Sequence, residues 1–276
     1  MGILNGLRSR FQPAAGARPG PAAGAREPTP ARPQFVWRML STPSGTHLEF
    51  LDRDYVPVLL LDLITAEPRR VLDVGCYCGA TGESIKQRWP GAKVTGIEPL
   101  TEAAREAGKR IDRVINKTVE AAFEDAGFAP GSFDAILFAD VLEHLYNPWA
   151  ALERARDLLA DDGFVFASIP NVRNLGLIEK LVNGHWTYEG SGLLDITHIR
   201  FFTLAEAHDL FAQTGFRVVQ VSHGVDPALA PLWNVETEND AADVQLGTLV
   251  IKAVSRADRQ ELATRRFYIK AEKAPQ

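Results

Sequence analysis

A short apolar run that ends in an acid and passes straight into closely spaced glycines opens at Val71: Val71-Leu-Asp73-Val-Gly75-Cys76-Tyr77-Cys78-Gly79-Ala-Thr-Gly82. The apolar run reads as a buried strand, and the stretch from Thr81 to Trp89, stopped by Pro90, reads as a helix. Between them the glycines permit backbone angles that other residues resist, and the amides at the helix start can hydrogen-bond a ligand. One strand-helix-strand unit later, Val94 to Ile97 ends at Glu98, whose carboxylate can accept both hydroxyls of a ribose. Tyr77 stands where a dinucleotide fingerprint needs its second glycine for close approach of a pyrophosphate, which disfavours NAD. An adenosine cofactor with free ribose hydroxyls fits better. The structural alternative for the glycines is a tight turn with helix capping.

The same alternation continues along the chain. Leu100 to Ala107 reads as a helix, Arg113 to Ile115 as a third strand, Phe133 to Ala139 as a fourth, and Phe164 to Ile169 as a fifth after an Asp162-Gly163 turn. Asn147-Pro148 caps and begins the helix before that fifth strand. Thr203-Leu-Ala-Glu206 is a capping-box start for a helix ending at Gly215. Phe216 to Val221 and Phe267 to Ala271 complete the set. The expected fold is α/β: a doubly wound, mostly parallel, seven-stranded Rossmann-like sheet with helices on both faces and a ligand crevice at the strand carboxyl ends. Residues 1–34, rich in Ala, Pro, Gly and Arg, have almost nothing to bury and read as a disordered tail. Residues 35–276 read as one domain, beginning with one or two short helices from Phe35 to Ile64. Residues 223–265 carry no clear pattern.

Composition excludes several classes. The net charge of -5 leaves no excess of cations for a duplex DNA backbone. The longest apolar run, Val56 to Ile64, contains Pro57 and Asp62 and falls well short of the roughly 20 residues of a membrane span, so no transmembrane segment is expected. The two cysteines, Cys76 and Cys78, are separated by one residue. That spacing is too tight for an ordinary structural disulfide and suits a reducing compartment, giving a cytoplasmic expectation. Gly6 stands where a myristoylation signal wants Ser or Thr, and no targeting signal is read.

Val71 to Gly79, Gly96-Ile-Glu98-Pro99 and Phe133-Asp-Ala-Ile-Leu-Phe-Ala-Asp140-Val-Leu-Glu143-His144-Leu resemble, in order and spacing, the motifs of class I S-adenosylmethionine-dependent methyltransferases. The resemblance runs on through Leu158 to Gly163, Ser168-Ile-Pro-Asn171, Gly184 to Tyr188 and Leu194-Asp-Ile-Thr-His198 to Thr203, covering most of residues 68–222. It is similar to the methyltransferases found beside glycosyltransferases in polysaccharide and O-antigen assembly. It implies S-adenosyl-L-methionine as cofactor, with Asp73, Gly75 and Gly79 framing its methionine end, Glu98 holding its ribose, Asp140 beside the methionine moiety, and Cys76, Tyr77 and Pro99 completing the cofactor-binding set. Such enzymes often carry an acid for the adenine after the third strand; this chain has Asn116-Lys117-Thr118, and the adenine contact stays open.

Methyl transfer needs positioning, plus a base where the nucleophile must lose a proton. His144 and His198, both just past strand ends, are the candidates; each could equally be a structural link. Asp140, Glu143, His144 and His198 also form an oxygen and nitrogen set of the kind a divalent cation, Mg2+ or similar, accepts. That pattern resembles the metal site of small-RNA 2′-O-methyltransferases and some quinone-pathway O-methyltransferases. Residues 172–203 read as a lid or acceptor segment, with Trp186 and Tyr188 to stack on a ring and Arg200 to meet an anion. The expected activity is O-methylation of a sugar, glycan precursor or other hydroxylated metabolite, with a small-molecule or glycan acceptor as partner. A small-molecule methyltransferase of quinone or secondary metabolism, a non-catalytic S-adenosylmethionine binder and a nicotinamide oxidoreductase are the alternatives. The acceptor and the oligomeric state are not legible.

Overall fold

The computed structural model describes residues 52–233 and 241–275. The expected 1–34 tail and the first half of the Phe35 to Ile64 stretch lie outside the described residues. The elements in chain order are α1 (Val58–Leu61), β1 (Arg70–Val74), α2 (Ala80–Arg88), β2 (Lys93–Ile97), α3 (Thr101–Ala107), β3 (Arg113–Ile115), α4 (Val119–Asp125) and β4 (Phe133–Ala139). They continue with α5 (Pro148–Leu158), β5 (Leu159–Pro170), α6 (Leu175–Val182), α7 (Leu204–Gln213), β6 (Phe216–Val225) and α8 (Ala230–Trp233). The last are β7 (Ala241–Leu246), β8 (Leu249–Ser255), α9 (Arg256–Ala263) and β9 (Thr264–Lys273).

Seven strands form one sheet in the order β3-β2-β1-β4-β5-β9-β6. β1 to β5 pair in parallel, and β9 runs antiparallel to both of its neighbours. The order reverses between β2-β1 and β4, and a crevice opens at the carboxyl ends beside that switch. Side chains alternate across the strands: Leu72, Val74, Ile136 and Phe138 join the core under one helical layer, while Val71, Ala135 and Leu137 join the core on the other face. Both faces are therefore covered, which is what lets these strands be almost wholly apolar.

The helix ends follow their caps. Asn147 Oδ1 accepts from Ala150 N with Pro148 as first helical residue, and Thr203 Oγ1 accepts from Glu206 N. Thr118 Oγ1 caps α4 by accepting from Ala121 N, a helix that the hydrophobic pattern does not mark. No turn separates α5 from the fifth strand: β5 begins at Leu159, and Asp162-Gly163 lies inside it. A Cβ on Gly163 would sit 2.9 Å from the Asp134 carbonyl oxygen, so this glycine serves close strand approach rather than a turn. The described parts of the unassigned 223–265 stretch help build a small third core, in which α6, the β7-β8 hairpin and α9 bury Leu175, Val244, Val254 and Leu262 together. Among the described residues, no helix is long and apolar enough to cross a membrane.

Candidate active site

The glycine turn sits at the end of β1, folded against the end of β2. Gly75 N and Cys76 N both donate to the Ile97 carbonyl, at 2.8 and 3.0 Å. Gly75, Tyr77 and Gly79 all take left-handed φ angles, +70°, +47° and +83°. A Cβ at Gly75 would lie 2.6 Å from Val141 Cγ2, and one at Gly79 would lie 2.9 Å from Ala107 Cα. Glycine is thus required at both positions on two independent grounds, strain and space. Cys76 is buried behind this turn, and burial pushes its thiol pKa up, so it behaves as core and not as a nucleophile.

Two acids flank the turn. Asp73 is 1% exposed and its Oδ2 has no hydrogen-bond partner. Burial, reinforced by the Glu98 charge, pushes its pKa up to about 7. Glu98 Oε2 accepts from Tyr77 N at 2.9 Å and Oε1 from Leu100 N at 2.8 Å, leaving each oxygen further acceptor capacity. Burial raises the Glu98 pKa. Asn116, in the place where an acid was sought, donates to the Glu98 and Pro99 carbonyls at 2.8 and 3.0 Å and ties β3 to β2.

Asp140, just past β4, also has a left-handed φ of +54°. Its amide donates to Ser168 Oγ at 2.9 Å, and Ser168 Oγ donates back to Asp140 Oδ1 at 2.8 Å. Arg266 Nε lies 2.9 Å from the same Oδ1, and Arg266 Nη1 donates to the Tyr55 hydroxyl at 2.7 Å. The group of close potential ligand atoms comprises Glu143, His144 and His198, with Asp140 outside it. The Asp140 charge is answered by a protein guanidinium. The roles of Ser168, Arg266 and Tyr55 carry no local sequence signal, because they follow from pairing of distant strands: Pro170 faces Arg266 across β5 and β9.

Glu143, His144 and His198 do come together, with one potential ligand atom of each within 4.8 Å of the others. The chain turns through a short 3-10 segment, Leu142–His144, and the Glu143 carbonyl accepts from Ile199 N and Arg200 N at 2.9 and 3.0 Å. That clasp brings His198 to the cluster, its Nε2 3.8 Å from Glu143 Oε1, with the two imidazole rings edge to face at 4.7 Å. Glu143 is 1% exposed, and neither carboxylate oxygen has a hydrogen-bond partner. Burial, then the Asp140 charge, raises its pKa well above the ordinary carboxylate range. Burial, then the neighbouring His144, lowers His198 to about 4, so it is neutral at neutral pH.

The 172–203 segment is tied down rather than loose, by the Asn171–Phe202 and Glu189–Asp195 bridges and by the Glu143 clasp. Trp186 packs edge to face on Phe201, and Tyr188 is partly exposed. Arg200 lies over the Tyr146 ring and donates to the Tyr146 carbonyl.

Known proteins share this architecture. The methyltransferase domain family matches residues 45–221. A malonyl-[acyl-carrier protein] O-methyltransferase of Geobacter sulfurreducens is 34% identical over 172 residues, covering 59% of this chain and 62% of that protein. A ubiquinone biosynthesis O-methyltransferase of Shewanella halifaxensis is 32% identical over 149 residues, covering 51% of this chain and 61% of its own. The chain spans about three fifths of the length of these curated relatives. A SAM-dependent methyltransferase structure from Archaeoglobus fulgidus superposes with a TM-score of 0.54 at 18% identity, over 78% of this chain and 92% of that one, which shows the shared fold. The matched span runs from before β1 into β6 and takes in the glycine turn, both flanking acids and the Glu143, His144 and His198 cluster; the chain belongs to the methyltransferase domain family.

Proposed function

We propose that this chain moves a methyl group from S-adenosylmethionine to an oxygen of a small hydroxylated or carboxylic acceptor, with His144 as the base. The observation that carries this reading is a buried carboxylate, Glu143, facing two histidines at the carboxyl edge of the sheet, beside a turn in which Gly75 and Gly79 have no room for a side chain. The cofactor supplies an electrophilic methyl on a sulfonium. Asp73, with a buried and unpartnered Oδ2, suits a cationic ligand, and Glu98 retains acceptor capacity for ribose hydroxyls. Asp140, braced by Ser168 and Arg266, borders the methionine end. His144, less buried than His198, takes the proton of the acceptor hydroxyl as the new oxygen–carbon bond forms and the sulfur–carbon bond breaks. An acceptor already ionised as a carboxylate needs only positioning.

The relatives favour a small acceptor, since their names place them on a malonyl group carried by a protein and in ubiquinone biosynthesis. A glycan acceptor gains no support from them. Residues 35–276 act as one domain in this reading, with 172–203 as the acceptor wall.

Glu143, His144 and His198 also fit a divalent cation, because an orphaned buried carboxylate beside two imidazoles is a donor set in search of a positive charge. Two imidazoles suit Mn2+, Co2+ or Zn2+ better than Mg2+, which prefers oxygen ligands. A bound ion would take the His144 lone pair and so replace it as the base, activating the acceptor oxygen by polarising it. Incubating the chain with methyl-labelled S-adenosylmethionine and panels of phenols, carboxylic acids and sugars, with and without exhaustive chelation, tests both statements. Label on phenols or acids supports the acceptor class, and loss of turnover on chelation supports the ion. Cofactor binding with no transfer to any acceptor sinks the enzymatic reading.

A further inference from the structure

Asp195 and Thr197 take no part in binding or in the transfer step, yet a chain of hydrogen bonds joins them to His144 and places the proton on its Nδ1. Asp195 is 5% exposed. Its Oδ1 lies 2.8 Å from Thr197 N and 2.6 Å from Thr197 Oγ1. A carboxylate oxygen accepts, so the threonine hydroxyl must donate its single proton to Asp195. Thr197 Oγ1 is also 3.0 Å from His144 Nδ1 and, its proton already committed, can only accept from the ring. The Thr197 carbonyl, 3.2 Å from the same Nδ1, is an acceptor as well. Both contacts require the proton of neutral His144 to sit on Nδ1. The lone pair of the neutral ring then lies on Nε2.

We propose that Asp195 and Thr197 are positioning residues that lock His144 in the Nδ1-protonated tautomer, which puts the lone pair, and with it the ring's capacity to accept a proton or bind a cation, on Nε2. The lock is distinct from the base and ligand assignments, and it rests on them only for its effect on turnover. His198 is set the same way by a different partner, the Leu193 carbonyl 3.2 Å from its Nδ1. Neutral imidazole in water favours the other tautomer, so the arrangement has to be imposed by its surroundings, here by two acceptors on one nitrogen. The pairing works because Asp195 and Thr197 stand two residues apart beside His198, on the loop that the Glu143 carbonyl clasps. One loop thus delivers one histidine to the cluster and orients the other.

The test uses the full chain, labelled with 15N-histidine and free of added metal, and reads each imidazole nitrogen by long-range 1H–15N correlation near neutral pH; loss of a signal set in His144→Gln assigns it. The expected result is a His144 ring protonated at Nδ1. In Thr197→Val, which keeps the side-chain shape, the ring shifts toward a mixture of tautomers, and kcat falls by about 10-fold with the KM for S-adenosylmethionine unchanged. Asp195→Asn lowers kcat further, by on the order of 10²-fold, within the usual contribution of a general base. Thr197→Ser restores both the tautomer and kcat. A wild-type His144 protonated at Nε2, or a tautomer unchanged in Thr197→Val, overturns the proposal. Because the spectra need no turnover, a correct tautomer in a protein that methylates nothing would sink the enzymatic reading alone, and a wrong tautomer in an active enzyme would sink the lock alone.

Discussion

Arg266 Nε lies 2.9 Å from Asp140 Oδ1, joining β9, which runs antiparallel to both of its neighbours, to the end of β4. Nε is buried without an aligned hydrogen bond, so the contact is chiefly an attraction of charges. Burial pulls the Arg266 pKa down, and the Asp140 charge, with Tyr55 and Tyr268, more than offsets it. Removing either partner strands the other charge in a largely desolvated place. Arg266→Gln and Asp140→Asn should each destabilise the fold, and the double variant should lose less than the sum of the two. A coupling between about 0.5 and 3 kcal/mol is expected for groups in direct contact, read from urea unfolding of the four proteins. Simple additivity would show that Asp140 and Arg266 act independently.

Gly75→Ala attacks the turn directly. The new methyl meets Val141 Cγ2 at 2.6 Å on a backbone with φ +70°. A left-handed angle costs a residue with a Cβ roughly 1–2 kcal/mol, and forced overpacking a further 1–3 kcal/mol or so. A lowered Tm together with at least about 10-fold weaker binding of S-adenosylmethionine by calorimetry is expected. Adding Val141→Ala, which makes room, should recover part of the stability but little of the affinity, since the backbone angle remains wrong. Wild-type affinity in Gly75→Ala would remove the turn from the cofactor site.

Asp73 predicts a pH dependence. Its pKa rises from 3.8 in the unfolded chain to about 7 in the fold, through burial and then the Glu98 charge. Between those values the folded state keeps a proton that the unfolded state has released. The stability contributed by this residue is therefore greatest below pH 4, declines as pH rises, and levels off above about 7. Relative to Asp73→Asn, the wild-type protein should lose Tm steadily from pH 5 to pH 7. A cationic cofactor favours the ionised carboxylate, so saturating S-adenosylmethionine should flatten that decline and release protons measurable in buffers of different ionisation enthalpy. Parallel Tm curves for wild type and variant would refute the buried, high-pKa carboxyl.

Glu143 is a place where stability has been given up. Both of its oxygens are buried and unpartnered, and an unsatisfied buried polar group costs about 1–3 kcal/mol. Glu143→Met keeps similar volume without polar atoms, and should raise the stability of the metal-free protein by about that amount in urea unfolding. The same variant should lose methyl transfer and any Mn2+ or Co2+ binding, the usual exchange of activity for stability. A destabilised Glu143→Met would mean that the carboxyl group has a stabilising partner in the fold.

Much of this site was legible along the chain. The turn from Asp73 to Gly79, Glu98 at the end of β2, and the spacing of Asp140, Glu143 and His144 are all short-range patterns, set by backbone angles and strand or turn periodicity that depend on neighbours in sequence. β4 falls where alternation placed it, from Phe133 to Ala139. The β7-β8 hairpin and α9 were not legible, since their apolar residues pack on α6 and on one another in a small separate core without a long periodic stretch. α4 was missed because seven residues carry too little periodicity to stand out.

The spacing of Asp140 to Glu143 and His144 points to a cation ligand, but spacing is a property of one segment. Whether that carboxylate faces an ion or a guanidinium depended on Arg266, and the position of Arg266 depended on the register of β9 against β5. Likewise His198, Thr197 and Asp195 were visible as residue types, while the clasp from the Glu143 carbonyl decided that they meet His144. Residue type and local spacing determine which groups a segment offers; the pairing of distant strands and loops determines which charges and lone pairs they face, because a hydrogen bond or ion pair forms only where the fold closes the last few ångströms.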